Sequence, residues 1–265
     1  MKMSKAIQIN PNKCIGCKRC SAICIRDSID IVDKKAVYNG KDCFLCYQCY
    51  SICPRNAISL TDFPEFEVEP IADGHVAYDD FMKLLKDRRS IRWFTDEKIT
   101  RGEFKRLFAV GGYTPTGMNC QDVEFVVLDE RLDDFMKIIY KILKPHEYEL
   151  PRIHQFCEYM EGEYENPKGH PFLWEGRQLV LSFSRIPIDA VLAAVRMELA
   201  GYTIGLGGFY SHFIIIAAEM DPSKITEFFS EISAEKRLHC AYVVGHPRVK
   251  YERDVPPRQM KTYFM

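Results

Sequence analysis

Two periods of apolar residues run through the chain and divide it into two regions. Near the N-terminus, apolar and polar residues alternate in short stretches, as at residues 6–9 and 29–32, and this period predicts short β-strands. From Asp79 to Lys86, by contrast, apolar residues recur at every third or fourth position, which is the spacing of an amphipathic helix. We therefore expect a small strand-containing region followed by a larger region that begins with a helix.

The stretch between these regions follows neither period. Residues 61–78 are acidic and contain Pro64, Pro70 and Gly74, a composition that is typical of a linker. The sequence thus predicts three parts, namely a small domain over residues 1–60, a linker over 61–78 and a larger domain over 79–265.

Helix starts are visible in the larger domain. Thr100 and Glu103 have the spacing of a capping box, in which each residue binds the other's backbone N–H. Asp189 and Asp221 are predicted to cap two later helices, and proline follows Asp221 at the first helical position.

Strands alternate with these helices. Apolar runs predict strands at residues 124–128, 178–183 and 240–244. The segment Gly205–Gly208 is interpreted as the glycine-rich end of a helix, and residues 145–176, whose period is weak, as a variable cap or lid. This interleaving predicts an α+β fold.

Charge and hydropathy exclude two classes of protein. The 36 basic and 37 acidic residues give a net charge of −1, which argues against binding to nucleic acid by phosphate neutralisation. Apolar runs such as Phe213–Ala218 are far shorter than the roughly 20 residues that cross a bilayer. Because Met1–Lys5 precedes no leader-like apolar run, we expect a cytoplasmic protein without a membrane span.

The cysteines are concentrated in one stretch. Eight of the eleven lie in two runs of the spacing C-x-x-C-x-x-C-x-x-x-C, and the second run begins 29 residues after the first. The two runs are Cys14, Cys17, Cys20 and Cys24, followed by Cys43, Cys46, Cys49 and Cys53. Thiolates at this spacing bind [4Fe-4S] clusters, so two runs predict two clusters.

Other uses of these cysteines fit the pattern less well. Disulfide frameworks belong to small secreted domains, whereas this chain has 265 residues and no recognisable leader. Zinc sites are usually built from two separated C-x-x-C pairs. Metal-free structural thiols would not recur in register, and here residues 24–29 also resemble residues 53–58, which indicates a duplicated half-domain.

By these residues the N-terminal segment resembles a bacterial-type two-cluster ferredoxin. In such runs the fourth cysteine binds the other cluster. One predicted cluster is therefore held by Cys14, Cys17, Cys20 and Cys53, and the other by Cys43, Cys46, Cys49 and Cys24. Ile25 departs from this pattern, since proline usually follows the fourth cysteine, as Pro54 does here.

The side chains around the two runs differ. Lys18 and Arg19 lie in the first run, whereas Phe44, Tyr47 and Tyr50 lie in the second. One hypothesis is that the first cluster faces an external electron donor and the second faces the rest of the protein. The alternative is that the charges form a solvated face and the aromatic rings fill a small core.

The larger domain resembles the nitroreductase family of FMN-dependent oxidoreductases. Four stretches match the pattern of that family in order, and their order is more specific than any one of them. They are Arg88-Arg89-Ser90-Ile91-Arg92, the segment 115–121, Gly205-Leu206-Gly207-Gly208, and Gly245-His246-Pro247 with Arg258 downstream. The resemblance implies a nitroreductase-like α/β sandwich that follows the ferredoxin-like domain in the sequence. It also implies a homodimer with each flavin site at the subunit interface.

The resemblance also assigns cofactor-binding roles. Arg88, Ser90 and Arg258 match positions that bind the FMN phosphate, for which the forked donors of arginine are suited. Arg92 matches a cation near the pyrimidine edge of the flavin. The remaining matches to flavin-binding positions are Arg89, Pro115, Thr116, Asn119, Gly207 and Gly208.

Departures from the family suggest candidate catalytic residues. Phe209-Tyr210-Ser211-His212 replaces the commoner residues near the reactive edge of the flavin, so Ser211 and His212 are candidates, with Tyr210 or water as other proton donors. His154 and His170 are interpreted as ordinary surface histidines, and Cys157 and Cys240 as core or surface thiols.

Together the two domains predict an FMN oxidoreductase that is fed by its own ferredoxin-like domain. The expected acceptor is a nitroaromatic, a quinone or an enone-like molecule, and the expected donor is a ferredoxin or flavodoxin. No G-x-G-x-x-G fingerprint follows a predicted strand, although direct use of NAD(P)H stays open. The alternative function is an electron-transfer or redox-sensing flavoprotein with a protein partner and no small substrate.

Overall fold

The structure, a computed structural model, describes residues 7–63, 71, 74–253 and 255–265. The chain forms two compact units, one of Met1–Gly74 with Met118–Cys120 and one of His75–Gly117 with Gln121–Met265. Residues 64–70 of the predicted linker, and Ala6 of the first predicted strand, lie outside the described residues.

The first unit is built from two strand pairs and two short helices. Its elements are β1 (Ile7–Ile9), α1 (Arg19–Ile23), β2 (Ile29–Val32), β3 (Lys35–Tyr38), α2 (Gln48–Ser51) and β4 (Ile58–Leu60). Strand β1 pairs with β4, and β2 with β3, both antiparallel. The predicted strands β1 and β2 are confirmed. Strands β3 and β4, of four and three residues, were not predicted, because so few residues give no clear period.

The two halves of this unit share unusual backbone conformations. Lys18 and Tyr47, 29 residues apart, precede α1 and α2 with φ angles of 64° and 56°. Asp27 and Asn56, again 29 residues apart, have φ angles of 48° and 45°. Residues other than glycine adopt such angles infrequently, so the paired occurrences confirm the predicted internal repeat.

The apolar core of the first unit is small. Its buried members are Ile7, Cys20, Ile29, Ala36, Ile58 and Leu60. Tyr47 and Tyr50 pack against this cluster, as the core-filling alternative for the aromatic residues predicts. A core of this size is typical of domains that depend on bound metal for stability.

The second unit contains a four-stranded antiparallel sheet and seven α-helices within the described residues. They are α3 (Tyr78–Asp87), α4 (Arg101–Phe108), β5 (Glu124–Leu128), α5 (Leu132–Leu143), α6 (Pro151–Glu161), β6 (Gln178–Ser184), α7 (Pro187–Thr203), β7 (Gly207–Tyr210), α8 (His212–Met220), α9 (Pro222–Phe228) and β8 (Arg237–Gly245). The strand order is β5-β6-β8-β7.

Both faces of the sheet are covered. Along the fully buried strand β6, Leu179 and Leu181 join a core cluster with α5 and α6, whereas Val180 joins another with α4 and α7. Because successive strand residues point to opposite faces, helices lie on both sides of the sheet. The fold is a three-layer α/β sandwich of the α+β class, as the sequence predicts.

Two of the predicted helix starts are confirmed. The backbone N–H of Glu103 donates to Thr100 Oγ1 at 3.2 Å, and the N–H of Thr100 donates to Glu103 Oε2 at 2.8 Å. Asp221 accepts from the N–H of Lys224 at 3.0 Å at the start of α9.

The prediction for Asp189 is wrong. Helix α7 already begins at Pro187, and the Asp189 carboxylate instead accepts the N–H of Gly117 at 3.0 Å. Asp189 is 1% exposed, so its buried carboxylate anchors the loop that contains Gly117, ahead of β5.

Two further interpretations need correction. Residues 145–176 are not a variable lid throughout, because α6 lies there and buries Ile153, Phe156 and Cys157 completely. Gly207 and Gly208 do not end the helix but begin β7, which pairs with β8. None of the described helices is both long and apolar enough to cross a membrane.

Candidate cluster sites and a cationic cavity

Two cavities in the first unit separate the eight cysteines into two groups. A cavity of about 380 Å³ is lined by Cys14, Cys17, Cys20 and Cys53. A second, of about 420 Å³, is lined by Cys24, Cys43, Cys46 and Cys49. The fourth cysteine of each run therefore lies with the first three of the other run. This grouping matches the crossed arrangement expected from the sequence, although the ligand assignment itself stays a prediction.

Backbone N–H groups point at four of these sulfur atoms. The N–H groups of Ala36, Ser28, Leu45 and Ala57 donate to the sulfurs of Cys14, Cys24, Cys43 and Cys53 at 3.3 to 3.4 Å. Such bonds favour the thiolate, and the Ala36 N–H lowers the pKa of Cys14. Donors to sulfur are also a means by which proteins set cluster potentials.

Gly16 lies where the first cysteine loop packs against the turn before β3. Gly16 has a φ angle of 68°, and a Cβ atom there would lie 2.1 Å from the Lys34 carbonyl oxygen. Only glycine fits, so the first cysteine loop can fold closely against the turn before β3. Burial raises the pKa of Cys49 to about 12, so its thiol would release its proton to solvent only on coordinating a metal. These residues fit iron–sulfur clusters.

Asn119 belongs to the first unit by its contacts. Its side-chain amide donates to the carbonyl oxygens of Phe44 and Leu45 at 2.9 and 3.1 Å, inside the second cysteine loop. Met118 and Asn119 have φ angles of 52° and 53°. The side chain predicted to contact FMN is thus engaged with the Cys43–Cys46 loop.

In the second unit, the arginines of the first flavin motif meet on one wall. A cavity of about 1220 Å³ is lined by Met82, Leu85, Lys86, Arg88, Arg89, Ser90, Arg92, Tyr251, Val255 and Pro257. Four of these residues are cationic, and none of the described wall residues is a carboxylate. We call this the cationic cavity. Its charge and the forked donors of its arginines suit a dianion such as a phosphate monoester.

The glycine pair permits close contact with the chain's own backbone. Ser90 forms a β-bridge with Gly208, and the N–H of Ile91 donates to the Gly208 carbonyl at 2.9 Å. A Cβ atom on Gly208 would lie 2.1 Å from the Val243 carbonyl oxygen. Gly208 therefore fixes the arginine motif against the sheet edge. Gly207 lines a neighbouring cavity of about 1080 Å³ that shares Arg89 with the cationic cavity.

A buried carboxylate lies behind the cationic cavity. Arg88 Nη1 donates to Glu198 Oε1 at 2.9 Å. Burial, followed by the Glu198 charge, raises the pKa of Tyr210. Sequence analysis missed Glu198, since a lone glutamate within a helix carries no signal for an inward-facing position.

Arg92 is held by aromatic rings. Its guanidinium carbon lies 5.5 Å from the ring centroid of Trp174 and 5.1 Å from that of Phe209. Arg152 lies 5.7 Å from the same Trp174 ring. Trp174, which sequence analysis also missed, has a φ angle of 56°.

The candidate catalytic residues differ in their surroundings. Ser211 is 4% exposed and donates its hydroxyl hydrogen to the Phe172 carbonyl at 2.9 Å. His212 is exposed at the first position of α8.

The interpretation of His170 as an ordinary surface histidine is wrong. Its Nε2 atom is buried, and its Nδ1 atom accepts the N–H groups of Phe172 and Leu173 at 3.0 and 3.1 Å. Burial lowers the pKa of His170 to about 4. Cys157 and Cys240 are buried thiols whose pKa values burial raises to about 11.

Three predicted flavin residues lie away from the walls of both cavities in the second unit. Pro115 is exposed, and Thr116 Oγ1 accepts the N–H of Gln121 at 3.0 Å. Arg258 is exposed in the C-terminal segment. The structure therefore groups Arg88, Arg89, Ser90 and Arg92 around the cationic cavity, and leaves these three residues outside it.

Comparisons with known structures show the same architecture. A nitroreductase with bound FMN from Bacteroides fragilis is 17% identical, with a TM-score of 0.54, and the match covers 69% of this chain and 98% of that chain. A nitroreductase with bound FMN from Desulfitobacterium hafniense is 15% identical, with a TM-score of 0.53, and the match covers 69% of this chain and 97% of that chain. A BluB-like flavoprotein from Clostridium difficile is 15% identical, with a TM-score of 0.53, and the match covers 70% of this chain and 99% of that chain. At these identities the likeness shows the fold alone.

Family models give the assignment of the sequence itself. No curated protein matches the chain. A 4Fe-4S dicluster domain matches residues 6–54. The nitroreductase family matches residues 85–246, which is more than half of the chain. The chain therefore belongs to the nitroreductase family and carries a 4Fe-4S dicluster domain at its N-terminal end.

Proposed function

We propose that the chain is an FMN-dependent oxidoreductase. It receives single electrons through two [4Fe-4S] clusters and delivers them in pairs to a nitroaromatic, quinone or enone-like acceptor. When bound, the clusters exchange one electron each, whereas FMN exchanges one or two, so FMN supplies the step between single and paired transfer.

The cationic cavity is the observation that carries the flavin assignment. Lys86, Arg88, Arg89 and Arg92 share one wall with the Ser90 hydroxyl, without a carboxylate among the described wall residues. FMN ends in a dianionic phosphate, and arginine presents paired N–H donors that match its oxygen atoms. The two nitroreductase structures reported above contain FMN, which supports the same ligand here.

For the clusters, the chain supplies sulfur ligands and N–H donors. We propose that Cys14, Cys17, Cys20 and Cys53 hold one cluster and that Cys43, Cys46, Cys49 and Cys24 hold the other. The two cysteine-lined cavities and the four N–H groups aimed at sulfur support this assignment.

Proton supply to the acceptor is assigned to His212. Its side chain is exposed and can exchange protons with solvent, whereas the Ser211 hydroxyl is bonded to the Phe172 carbonyl. We therefore propose that Ser211 holds the turn at Phe172 and takes no direct part in proton transfer.

We also propose a homodimer. Helix α7 exposes Ile188, Val191 and Val195, at 61%, 41% and 43%, which lie three and four positions apart on one face. A stripe of this kind is covered when a second copy packs against it. The remaining segments of the second unit predicted to contact flavin, which contain Pro115, Thr116 and Arg258, would then belong to a site shared by two copies.

A protein donor such as ferredoxin or flavodoxin is proposed for the electrons. Small acidic carriers of this class exchange electrons with a cluster at the protein surface, and Lys18 and Arg19 are both exposed in the first cysteine run. We place the protein in a reducing compartment such as the cytoplasm, where cysteine thiols persist.

An anaerobic reductive titration of the purified, cluster-loaded protein tests the cofactor content. Titration is expected to require about four electrons per chain, one for each cluster and two for FMN. A value near two with no flavin absorbance would contradict the proposal.

Reoxidation kinetics test the reaction. Reduced flavin is expected to be reoxidised faster by a nitroaromatic, a quinone or an enone than by a generic one-electron acceptor. If none of the three is faster, the protein is an electron-transfer or redox-sensing flavoprotein instead.

A further inference from the structure

We propose that Glu198 is a positioning residue for Arg88, holding its guanidinium so that the remaining N–H groups face the cationic cavity and bind the flavin phosphate. This inference rests on the proposed function, since it concerns the same phosphate-binding wall.

The Arg88–Glu198 pair connects the interior with the cavity. Arg88 Nη1 and Glu198 Oε1 are 2.9 Å apart, and the Glu198 side chain is only 9% exposed. The Arg88 side chain is 34% exposed and lines the cationic cavity, so the pair points from the core to the wall. A carboxylate taken out of water in this way is costly unless it stays bonded to its partner.

Two tyrosines complete the surroundings of Glu198. The Glu198 charge acts on Tyr210 and Tyr242, whose ring centroids lie 4.9 Å apart. Burial, followed by the Glu198 charge, raises the pKa of both tyrosines, so each keeps its proton. The hydrogen bond from Arg88 therefore fixes the orientation of the Glu198 carboxylate between two neutral tyrosines.

The planar guanidinium of Arg88 explains why the bond to Glu198 fixes the direction of its other N–H groups. A guanidinium carries five N–H donors in one plane, so binding one edge to Glu198 determines where the others point. Without that partner, the long side chain loses rotamer freedom when it binds a ligand, and this loss weakens binding. Glu198 thus orders Arg88 before the phosphate arrives.

Glu198 could instead weaken phosphate binding, and the direction in which FMN affinity changes distinguishes the two effects. A negative charge behind Arg88 repels a dianion, so a Glu198 that only competed for Arg88 would weaken phosphate binding. Removing Glu198 is expected to weaken FMN binding if it positions Arg88, and to strengthen FMN binding if it competes.

The experiment compares FMN with riboflavin, which lacks the phosphate. Dissociation constants are measured by flavin fluorescence on the cluster-loaded, flavin-depleted full chain. For Glu198→Ala, we expect FMN to bind about tenfold more weakly while riboflavin binding is unchanged, because only FMN uses Arg88. Glu198→Gln retains an acceptor oxygen and is expected to lose less than Glu198→Ala.

Two controls separate positioning from damage to the fold. Tyr210→Phe changes the surroundings of Glu198 but leaves the Arg88–Glu198 ion pair, so FMN binding is expected to stay close to that of the wild type. In an Arg88→Ala background, Glu198→Ala is expected to cause no further loss of FMN binding, because its effect acts through Arg88.

The outcomes distinguish the inference from the function on which it rests. Unchanged or tighter FMN binding by Glu198→Ala overturns the positioning role, as does an equal loss for FMN and riboflavin. A wild-type protein that binds riboflavin as tightly as FMN overturns the phosphate site itself, and with it the proposed flavin assignment.

Discussion

The guanidinium of Arg92 lies against the indole ring of Trp174, with 5.5 Å between the guanidinium carbon and the ring centroid. Trp174 has a φ angle of 56°, which costs about 1–2 kcal/mol for a residue with a Cβ atom. The turn around it is fixed from two sides, by the His170 ring and by the hydroxyl of Ser211. This turn therefore maintains a strained tryptophan in contact with a cation of the cationic cavity.

Replacing Trp174 tests whether this contact affects the flavin. In Trp174→Leu, Arg92 loses a cation–π contact worth roughly 0.5–2 kcal/mol and is expected to be less well held. The resemblance to the nitroreductase family puts Arg92 near the pyrimidine edge of the flavin. A less ordered cation there stabilises the reduced, anionic ring less, so the FMN midpoint potential is expected to fall. Spectroelectrochemical titration measures this potential, with Trp174→Phe as the matched aromatic control. Equal potentials for the two variants would rule out a role for the aromatic ring.

Cysteine substitutions test the two groups of ligands. Cys46 lines one cysteine cavity and Cys17 the other. Cys46→Ser is expected to remove or alter one cluster and to abolish reduction by a protein donor while FMN stays bound. Iron analysis, flavin absorbance and electron paramagnetic resonance of the reduced protein give the three readouts.

The matched variant, Cys17→Ser, should alter the spectrum of the other cluster. Identical spectra for the two variants would contradict the division into two separate sites. Loss of FMN in either variant would instead show that the dicluster domain supports the fold of the flavin site.

A charge on helix α7 tests the dimer. Val195 is 43% exposed in the apolar stripe, and Val195→Glu would bury a carboxylate if a second copy covers this face. We expect this variant to be a monomer with weakened FMN binding. Light scattering after size-exclusion chromatography measures the mass. Lys141→Glu, on the exposed side of α5, is the control and should leave the mass unchanged.

His170 predicts how stability depends on pH. Burial lowers its pKa to about 4 from an ordinary value near 6.5, so the unfolded chain binds a proton over this interval that the folded chain does not. The unfolding free energy should therefore decrease as the pH falls from about 6.5 towards 4. Chemical denaturation between pH 7 and pH 5 measures the slope.

His170→Gln should have a shallower slope than the wild type. A wild-type slope in His170→Gln would place the titrating group elsewhere.

Local sequence signals predicted the parts of the molecule whose geometry is local. The cysteine spacing anticipated how Cys53 and Cys24 cross between the two cavities, because that arrangement follows from two short, repeated loops. The capping box at Thr100 depends on only four residues and formed as expected.

Signals failed where distant parts of the chain decide the structure. Gly207 and Gly208 resemble a helix end in sequence, but pairing with β8 makes them a strand. Helix α6 has its apolar residues at Ile153, Phe156 and Cys157, a helical spacing obscured by the polar and aromatic residues around it. Glu198 is indistinguishable from a solvated helix residue until the fold brings Arg88 beside it.

The wall of the cationic cavity has a practical consequence for handling the protein. Lys86, Arg88, Arg89 and Arg92 would bind inorganic phosphate or sulfate through the same donors as a flavin phosphate. Purification in phosphate buffer or high salt is therefore expected to strip flavin while the brown colour of the clusters persists. The absence of flavin absorbance in such a preparation would be an effect of the buffer and not the native cofactor content. Isolation in a dilute buffer free of phosphate and sulfate is therefore preferable.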